Sequence, residues 1–283
     1  MTNGNGVHPS SNLYVPHLMR IADATDETHD IRTLTLEFAD AVAPADFAWK
    51  VGQFGHFTIF GAGECVFTIT NPPSRGGHIE CTFREVGKVT NALRNLSVGQ
   101  TVGFRGPYGN SFPMDDWKGK NLVFIGGGIG MAALHSPLQA ALDDREAYGD
   151  ILILNGARST IDVVYRDEMA EWEAIDGVRV VQAVNPGGED ADWKGEVGLI
   201  PEVFKKLGAT SENTIVVICG PPIMLHFMLI ALDELGFVKE QIVTTLENKM
   251  KCGIECVFIL KFGMKINPDP NSELDSKSLN RTP

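Results

Sequence analysis

The sequence predicts two domains in tandem, a β plus α/β arrangement in which an N-terminal antiparallel Greek-key barrel precedes a doubly wound parallel sheet. Two patterns carry this expectation. Up to about residue 105 the chain reads as short strands with turn punctuation, and 31–38 (IRTLTLEF) alternates apolar and polar side chains as a half-buried strand does. From residue 120 onward, apolar runs of strand length alternate with helical stretches, as parallel strands joined by crossover helices require. The polar, turn-rich stretch 113–119 (PMDDWKG) separates the two patterns. The expected division is 14–114 for the barrel, 118–247 for the sheet domain and 248–283 for a C-terminal segment of different character.

Within the barrel, 54–60, 66–70, 79–84 and 101–105 are further strand candidates, and 87–93 with Leu93 and Leu96 suits one short helix. About six antiparallel strands with one inserted helix fit a small Greek-key barrel. In the second domain the strand runs are 121–125, 150–154, 178–184, 214–219 and 241–244. Helical stretches fall between them, near 131–142, 163–172, 201–207 and 223–235.

The most informative stretch is 121–130, NLVFIGGGIG. Leu122, Val123, Phe124 and Ile125 make the short apolar run of a strand buried on both faces. Gly126, Gly127, Gly128 and Gly130 let the backbone turn tightly and approach a ligand with no Cβ in the way. A helix follows, and its first N–H groups would point back at the glycines, a geometry suited to a pyrophosphate. A Gly-rich turn also arises for packing alone. Downstream, 214–224 repeats the theme: a buried run ends in Cys219, Gly220 and Pro221. Ligands in open α/β sheets bind beyond the carboxyl ends of the strands, so the two glycine-bearing ends would form a slot for a flat ring. Cys219 also fits the commoner role of a small buried hydrophobe.

Bulk properties narrow the classes. A chain of 283 residues with 43% hydrophobic content can build two cores. A net charge of −12 argues against nucleic acid as a partner. The first residues are polar, with no signal-peptide pattern, and the longest apolar stretch, 218–232, is broken by Gly220, Pro221, Pro222 and His226. No membrane span is expected, because a span takes roughly 20 apolar residues. Five cysteines in scattered positions do not form a disulfide framework, which fits a reducing, cytoplasmic setting. His17, His29, His56, His78, His135 and His226 show no metal-ligand spacing and read as structural or surface residues.

The order of these motifs resembles the ferredoxin–NADP reductase superfamily. The runs 87–90 (GKVT), 106–110 (GPYGN) and 246–253 (LENKMKCG) are similar to one branch of it. That branch holds the gamma subunit of sulfhydrogenases, an electron-transferring subunit of anaerobic sulfite reductase and the electron-transfer subunit of dihydroorotate dehydrogenase. The resemblance covers roughly 14–253 and implies a barrel for FAD and a sheet domain for NAD(P)H. In the superfamily an Arg-x-aromatic-Ser segment holds flavin, and the matching run here is 65–69 (CVFTI). By this resemblance Phe67 packs on the flavin ring, Thr68 hydrogen-bonds near its N5, and Ile69 continues the motif. Cys65 stands where an arginine would clamp the pyrophosphate, leaving Arg84, or Lys88 with the amides of Gly87, Val89 and Thr90, to supply that function. Gly126, Gly127, Gly128 and Gly130 would hold the nicotinamide dinucleotide, with Cys219, Gly220 and Pro221 beside its ring. Thr68 and Cys219 are the catalytic candidates. Arg158, followed by Ser159, could meet a 2′-phosphate, the adenine or the solvent, so NADH and NADPH both stay open.

The branch also carries a [2Fe–2S] cluster on four cysteines. This chain has only Cys252 and Cys256 there, with Val257 and Leu260 where further thiolates are expected. The cluster is therefore doubtful, and the two cysteines read as remnants of the site. The implied function is passage of electrons between NAD(P)H and other redox subunits of a complex. Its rivals are a stand-alone flavin or dye reductase and a non-catalytic assembly subunit.

Overall fold

The computed structural model describes residues 15–40, 47–245 and the backbone of 259–261. Cys252 and Cys256 lie outside the described residues.

Six antiparallel strands build the first domain: β1 (His17–Asp26), β2 (Ile31–Phe38), β3 (Phe54–Ile59), β4 (Gly63–Thr68), β5 (Ile79–Arg84) and β6 (Thr101–Tyr108). Their order is β4-β3-β6-β1-β2-β5, so β6 returns over a long connection to lie between β3 and β1, the Greek-key crossing. Alternation drives the folding. Met19, Ile21, Leu34, Leu36, Phe57 and Phe104 are wholly buried in one core. The helix α1 (Lys88–Arg94) closes it with Leu93. The expected strand 66–70 instead starts at Gly63 and stops at Thr68, because Ile69 leaves the ladder and donates to Gln53 O at 2.9 Å. β1 has no expected counterpart, since apolar alternation marks only its first half.

The second domain has the strands β7 (Asn121–Gly127), β8 (Ile151–Ala157), β9 (Val178–Val184), β10 (Glu196–Val197), β11 (Thr214–Cys219) and β12 (Ile242–Thr245). They lie parallel in the order β10-β9-β8-β7-β11-β12, and the short β13 (Ile259–Lys261) runs antiparallel at the edge. The helices are α2 (Gly130–Asp143), α3 (Arg166–Glu173), α4 (Ile200–Lys206) and α5 (Pro222–Glu234). β7 shows why both faces must be covered. Leu122 and Phe124 enter the core shared with Leu134 and Leu138 of α2, while Val123 and Ile125 enter the opposite core with Phe204 of α4 and Leu232 of α5. The third expected helix starts at Arg166, not 163, because Tyr165 takes a left-handed conformation (φ 58°, ψ 34°) just before it. No helix among the described residues is long and apolar enough to cross a membrane.

The chain runs from β7 to β8 on one side and later places β11 on the other, so the switch in strand order falls between β7 and β11. Their ladder is in register to the end, Cys219 opposite Gly126. Two glycines make this junction possible. A Cβ on Gly126 would lie 2.5 Å from Met131 Sδ, and one on Gly130 would lie 2.5 Å from the carbonyl oxygen of Cys219. Backbone cannot retreat as a flexible side chain can. Gly130→Ala is therefore expected to cost roughly 1–3 kcal/mol, read as a lower denaturant midpoint. Lys118→Ala, whose side chain is half exposed, should leave that midpoint nearly unchanged.

Candidate active site

The two domains meet along α2. His135 Nδ1 donates to the carbonyl of Thr70 at 3.0 Å, and Ser136 Oγ donates to that of Asn71 at 3.2 Å. Further along, Asp143 accepts from Ser74 Oγ at 2.6 Å and from Arg75 Nη2 at 2.8 Å. His135 Nε2 faces both carboxylate oxygens of Glu168 at 3.0 and 3.1 Å, and its ring stacks on Tyr165 with centroids 4.0 Å apart. Burial alone would lower the His135 pKa. The Glu168 hydrogen bond and charge, helped by the Thr70 carbonyl, outweigh it and raise the pKa above the ordinary 6.5. With both ring nitrogens facing acceptors, the imidazolium is the form that fits.

Beside this seam lies a cleft of about 470 Å³ with one wall from each domain. The barrel wall includes Phe67, Thr68, Thr82, Arg84 and Thr90; the sheet wall includes Gly127, Gly130, Cys219, Gly220 and Pro221. A second cavity of about 530 Å³ continues from it over the ends of the parallel strands, past Gly128, Arg158, Leu199 and Phe227. Arg84, Gly127 and Pro221 belong to both. The residues singled out on the barrel and on the sheet thus line one continuous space at the switch point, where ligands of such sheets bind.

The glycine run divides its labour. Gly126 and Gly130 are required by the chain's own packing, whereas Gly127 and Gly128 form cavity wall. Gly128 has a left-handed φ of 56°, and a Cβ there would meet nothing nearer than Arg84 Nη2 at 3.8 Å. That side is open to a ligand. On the barrel, Phe67 reaches the cleft but also packs on Phe57 and Phe83, each at 5.5 Å between centroids. Ile69 and Val89 pack into or against the barrel core, because their places in the alternation turn them inward. Gly87 and Lys88 are exposed and form no part of the cleft wall. Thr90 Oγ1 caps its own helix, accepting from the amides of Val86 and Gly87 at 3.0 and 2.9 Å.

Charge in the cleft comes from Arg84, whose Nε is paired with Asp30 Oδ2 at 3.2 Å, an approach too oblique for a hydrogen bond. Cys65 cannot substitute for an arginine. Burial, reinforced by neighbouring Glu64, pushes its thiol up to about 12, so it stays neutral. Beyond β8, Ser159 Oγ donates to Asp162 Oδ2 at 2.8 Å and Arg158 Nη2 lies 3.4 Å from Asp162 Oδ1. Sequence reasoning overlooked Thr82, although its place between core residues Cys81 and Phe83 and two before Arg84 puts it on the outward face of β5.

Comparison with known proteins fits this geometry. Residues 18–112 match an oxidoreductase FAD-binding domain and 124–229 an oxidoreductase NAD-binding domain. The sulfhydrogenase 1 gamma subunit of Pyrococcus furiosus is 35% identical over 249 residues, 87% of this chain and 84% of the relative. The chain belongs to the ferredoxin–NADP reductase superfamily. Within it, this oxidoreductase sits in the branch of the sulfhydrogenase gamma subunits and the electron-transfer subunits of dihydroorotate dehydrogenase B. A probable subunit of the latter kind from Methanocella arvoryzae is 29% identical over 83% of this chain and 80% of the relative. In fold the superfamily member superposes on a ferredoxin NADP+ reductase from Neisseria gonorrhoeae with a TM-score of 0.66 at 20% identity, covering 80% of this chain and 96% of that one. An Amycolatopsis cytochrome P450 reductase gives 0.69 at 24%, covering 81% and 68%.

The His135 contact makes stability depend on pH with a definite sign. A folded pKa raised above the unfolded 6.5 stabilises the protein fully below 6.5, and the gain is lost as pH rises through the folded value. The difference in denaturant midpoint between wild type and His135→Gln should therefore be largest near pH 6 and shrink steadily toward pH 9. A difference that grows with pH would contradict the assignment.

Proposed function

We propose that the chain is a cytoplasmic electron-transfer flavoprotein that takes electrons from NAD(P)H onto FAD and hands them to a partner redox enzyme. The observation that carries this reading is the continuous two-walled cleft, in which Phe67 and Thr68 face Gly127, Cys219 and Gly220. When bound there, FAD supplies the ability to accept two electrons together and release them singly. The fit is favourable: the cavities are of cofactor size, the Gly128 backbone is open, and Arg84 brings a cation to the junction.

In this reading 14–114 holds FAD and 118–247 holds the nicotinamide dinucleotide. Thr68, at the end of β4, presents its hydroxyl to the reacting edge of the flavin, while Phe67 supports the ring. Arg84 takes the place of the missing arginine and faces phosphate. The backbone of Gly127 and Gly128 admits the dinucleotide, and buried Cys219 with Gly220 and Pro221 supports the nicotinamide. Holding both rings in one desolvated slot turns an encounter into a unimolecular step. The Asp162 carboxylate, bonded to Ser159 and Arg158, disfavours a 2′-phosphate at that loop by charge repulsion, so NADH is the preferred donor.

The partner is a redox subunit of a heteromeric complex, as the relatives' designations as a sulfhydrogenase gamma subunit and an electron transfer subunit suggest. Cys252 and Cys256 fall short of the four ligands that a [2Fe–2S] cluster takes, and 248–283 is assigned no complete cluster of its own. The direct test is purification with FAD, then anaerobic titration with NADH and NADPH, alongside iron and sulfide assay. Flavin bleaching with NADH faster than with NADPH is expected, without stoichiometric iron. A chain that takes up no flavin refutes the proposal. Thr68→Val should retain FAD and slow bleaching roughly 10²-fold, measured by stopped-flow absorbance.

A further inference from the structure

Thr82, in the barrel wall of the cleft, stands directly across the β2–β5 ladder from Thr33. Their hydroxyl oxygens are 2.8 Å apart, and Thr33 Oγ1 donates to Glu27 Oε1 at 2.6 Å. Tyr165 closes the group from the other domain. Its hydroxyl lies 2.7 Å from Thr82 Oγ1, and its backbone N–H donates to Glu27 Oε2 at 3.1 Å. Tyr165 is one of two described non-glycine residues with positive φ, so a strained backbone is held where it serves this carboxylate.

Each hydroxyl carries one proton, which fixes the polarity of the chain. With Glu27 ionised, Thr33 donates to Glu27, Thr82 donates to Thr33, and Tyr165 donates to Thr82. With Glu27 protonated, the order reverses and the Thr82 proton is released toward the cleft. A carboxyl group at one end of two hydroxyls and a redox cleft at the other are the parts of a proton relay.

We infer that Glu27 is the proton reservoir of the cleft, joined to it through the hydroxyls of Thr33 and Thr82. The inference rests on the cleft holding FAD as proposed. A nicotinamide delivers a hydride, two electrons with one proton, and a neutral reduced flavin needs one proton more. Glu27 supplies it: its O–H bond breaks as Thr33 takes the proton, the Thr33 proton passes to Thr82, and the Thr82 proton passes to the ring. Glu27, left as a carboxylate, is recharged from water, because its side chain is only half buried. When electrons leave, the protons return by the same path.

The surroundings suit a carboxyl that changes state. Burial raises the Glu27 pKa, hydrogen bonds from Thr33 and the Tyr165 amide oppose that, Glu168 of α3 raises it further, and His135 of α2 lowers it; the net direction is upward. Tyr165, raised well above the ordinary phenol by burial, stays protonated throughout.

The test uses the full FAD-loaded chain, reduced either by NADH or by light with a free deazaflavin, which needs no nicotinamide site. Infrared difference spectra between oxidised and reduced protein should show loss of a carboxylic C=O band in wild type and none in Glu27→Gln. Proton uptake, followed by a pH indicator in weak buffer, should slow roughly 10²-fold in Thr33→Val and Thr82→Val. Thr33→Ser and Thr82→Ser, which keep a hydroxyl, should restore it, separating a lost proton path from lost packing. Tyr165→Phe should keep the infrared band. A band that persists in Glu27→Gln, or uptake unaltered in both valine variants, overturns the relay while leaving FAD binding and NADH reduction intact. A wild-type chain that takes up no FAD overturns the cofactor reading and the relay together.

Discussion

The contact on which the rest depends is between two stretches of backbone: the start of α2 at Gly130 and the carbonyl of Cys219 closing β11. A side chain at residue 130 would push the helix away from the sheet just where the strand order switches. With glycine there, β7 and β11 end level, and the first turn of α2 lies over the gap between them. Both cavities open from this point. The cores above and below the sheet hold the arrangement, because β7 buries alternate side chains in each.

A second constraint acts across the domain boundary. The barrel offers carbonyl oxygens at Thr70 and Asn71, and α2 answers with His135 and Ser136. Backbone carbonyls do not titrate, so the charge state of the seam is governed by His135 and Glu168. Their hydrogen bonds, each worth about 1 kcal/mol net or more when charged, join two cores that share little apolar surface at this seam. The same seam carries the Tyr165–Thr82 contact, so the packing of the domains and the polar lining of the cleft are one structure.

Much of this was legible in the residues. The run 121–130 announced a strand buried on both faces, a tight turn and a helix because each demands a different residue type, and all three occur in order. The strands Ile31–Phe38, Ile79–Arg84, Val178–Val184 and Thr214–Cys219 fall where their patterns end in turn residues or charges. What escaped was set by tertiary contact. Nothing local to Tyr165 signals a left-handed backbone, since the strain is offset by Glu27, distant in sequence. Glu27 itself sits among Asp26, Thr28 and Asp30 in a polar turn and looks like any solvated acid. Phe67 and Ile69 belong to one motif, yet one reaches the cleft and the other is core, because the chain leaves β4 between them.

The spacing of the seam contacts along α2 has a mechanical consequence. Residues 135, 136 and 143 each hold the barrel segment 70–75, over a span of about 12 Å at the rise of an α-helix. Anchors at both ends of such a span oppose rotation as well as separation, so the two halves behave as a riveted frame rather than a pair of jaws. Traffic through the slot then falls to the side chains at its mouth, among them exposed Ile223 and Phe227.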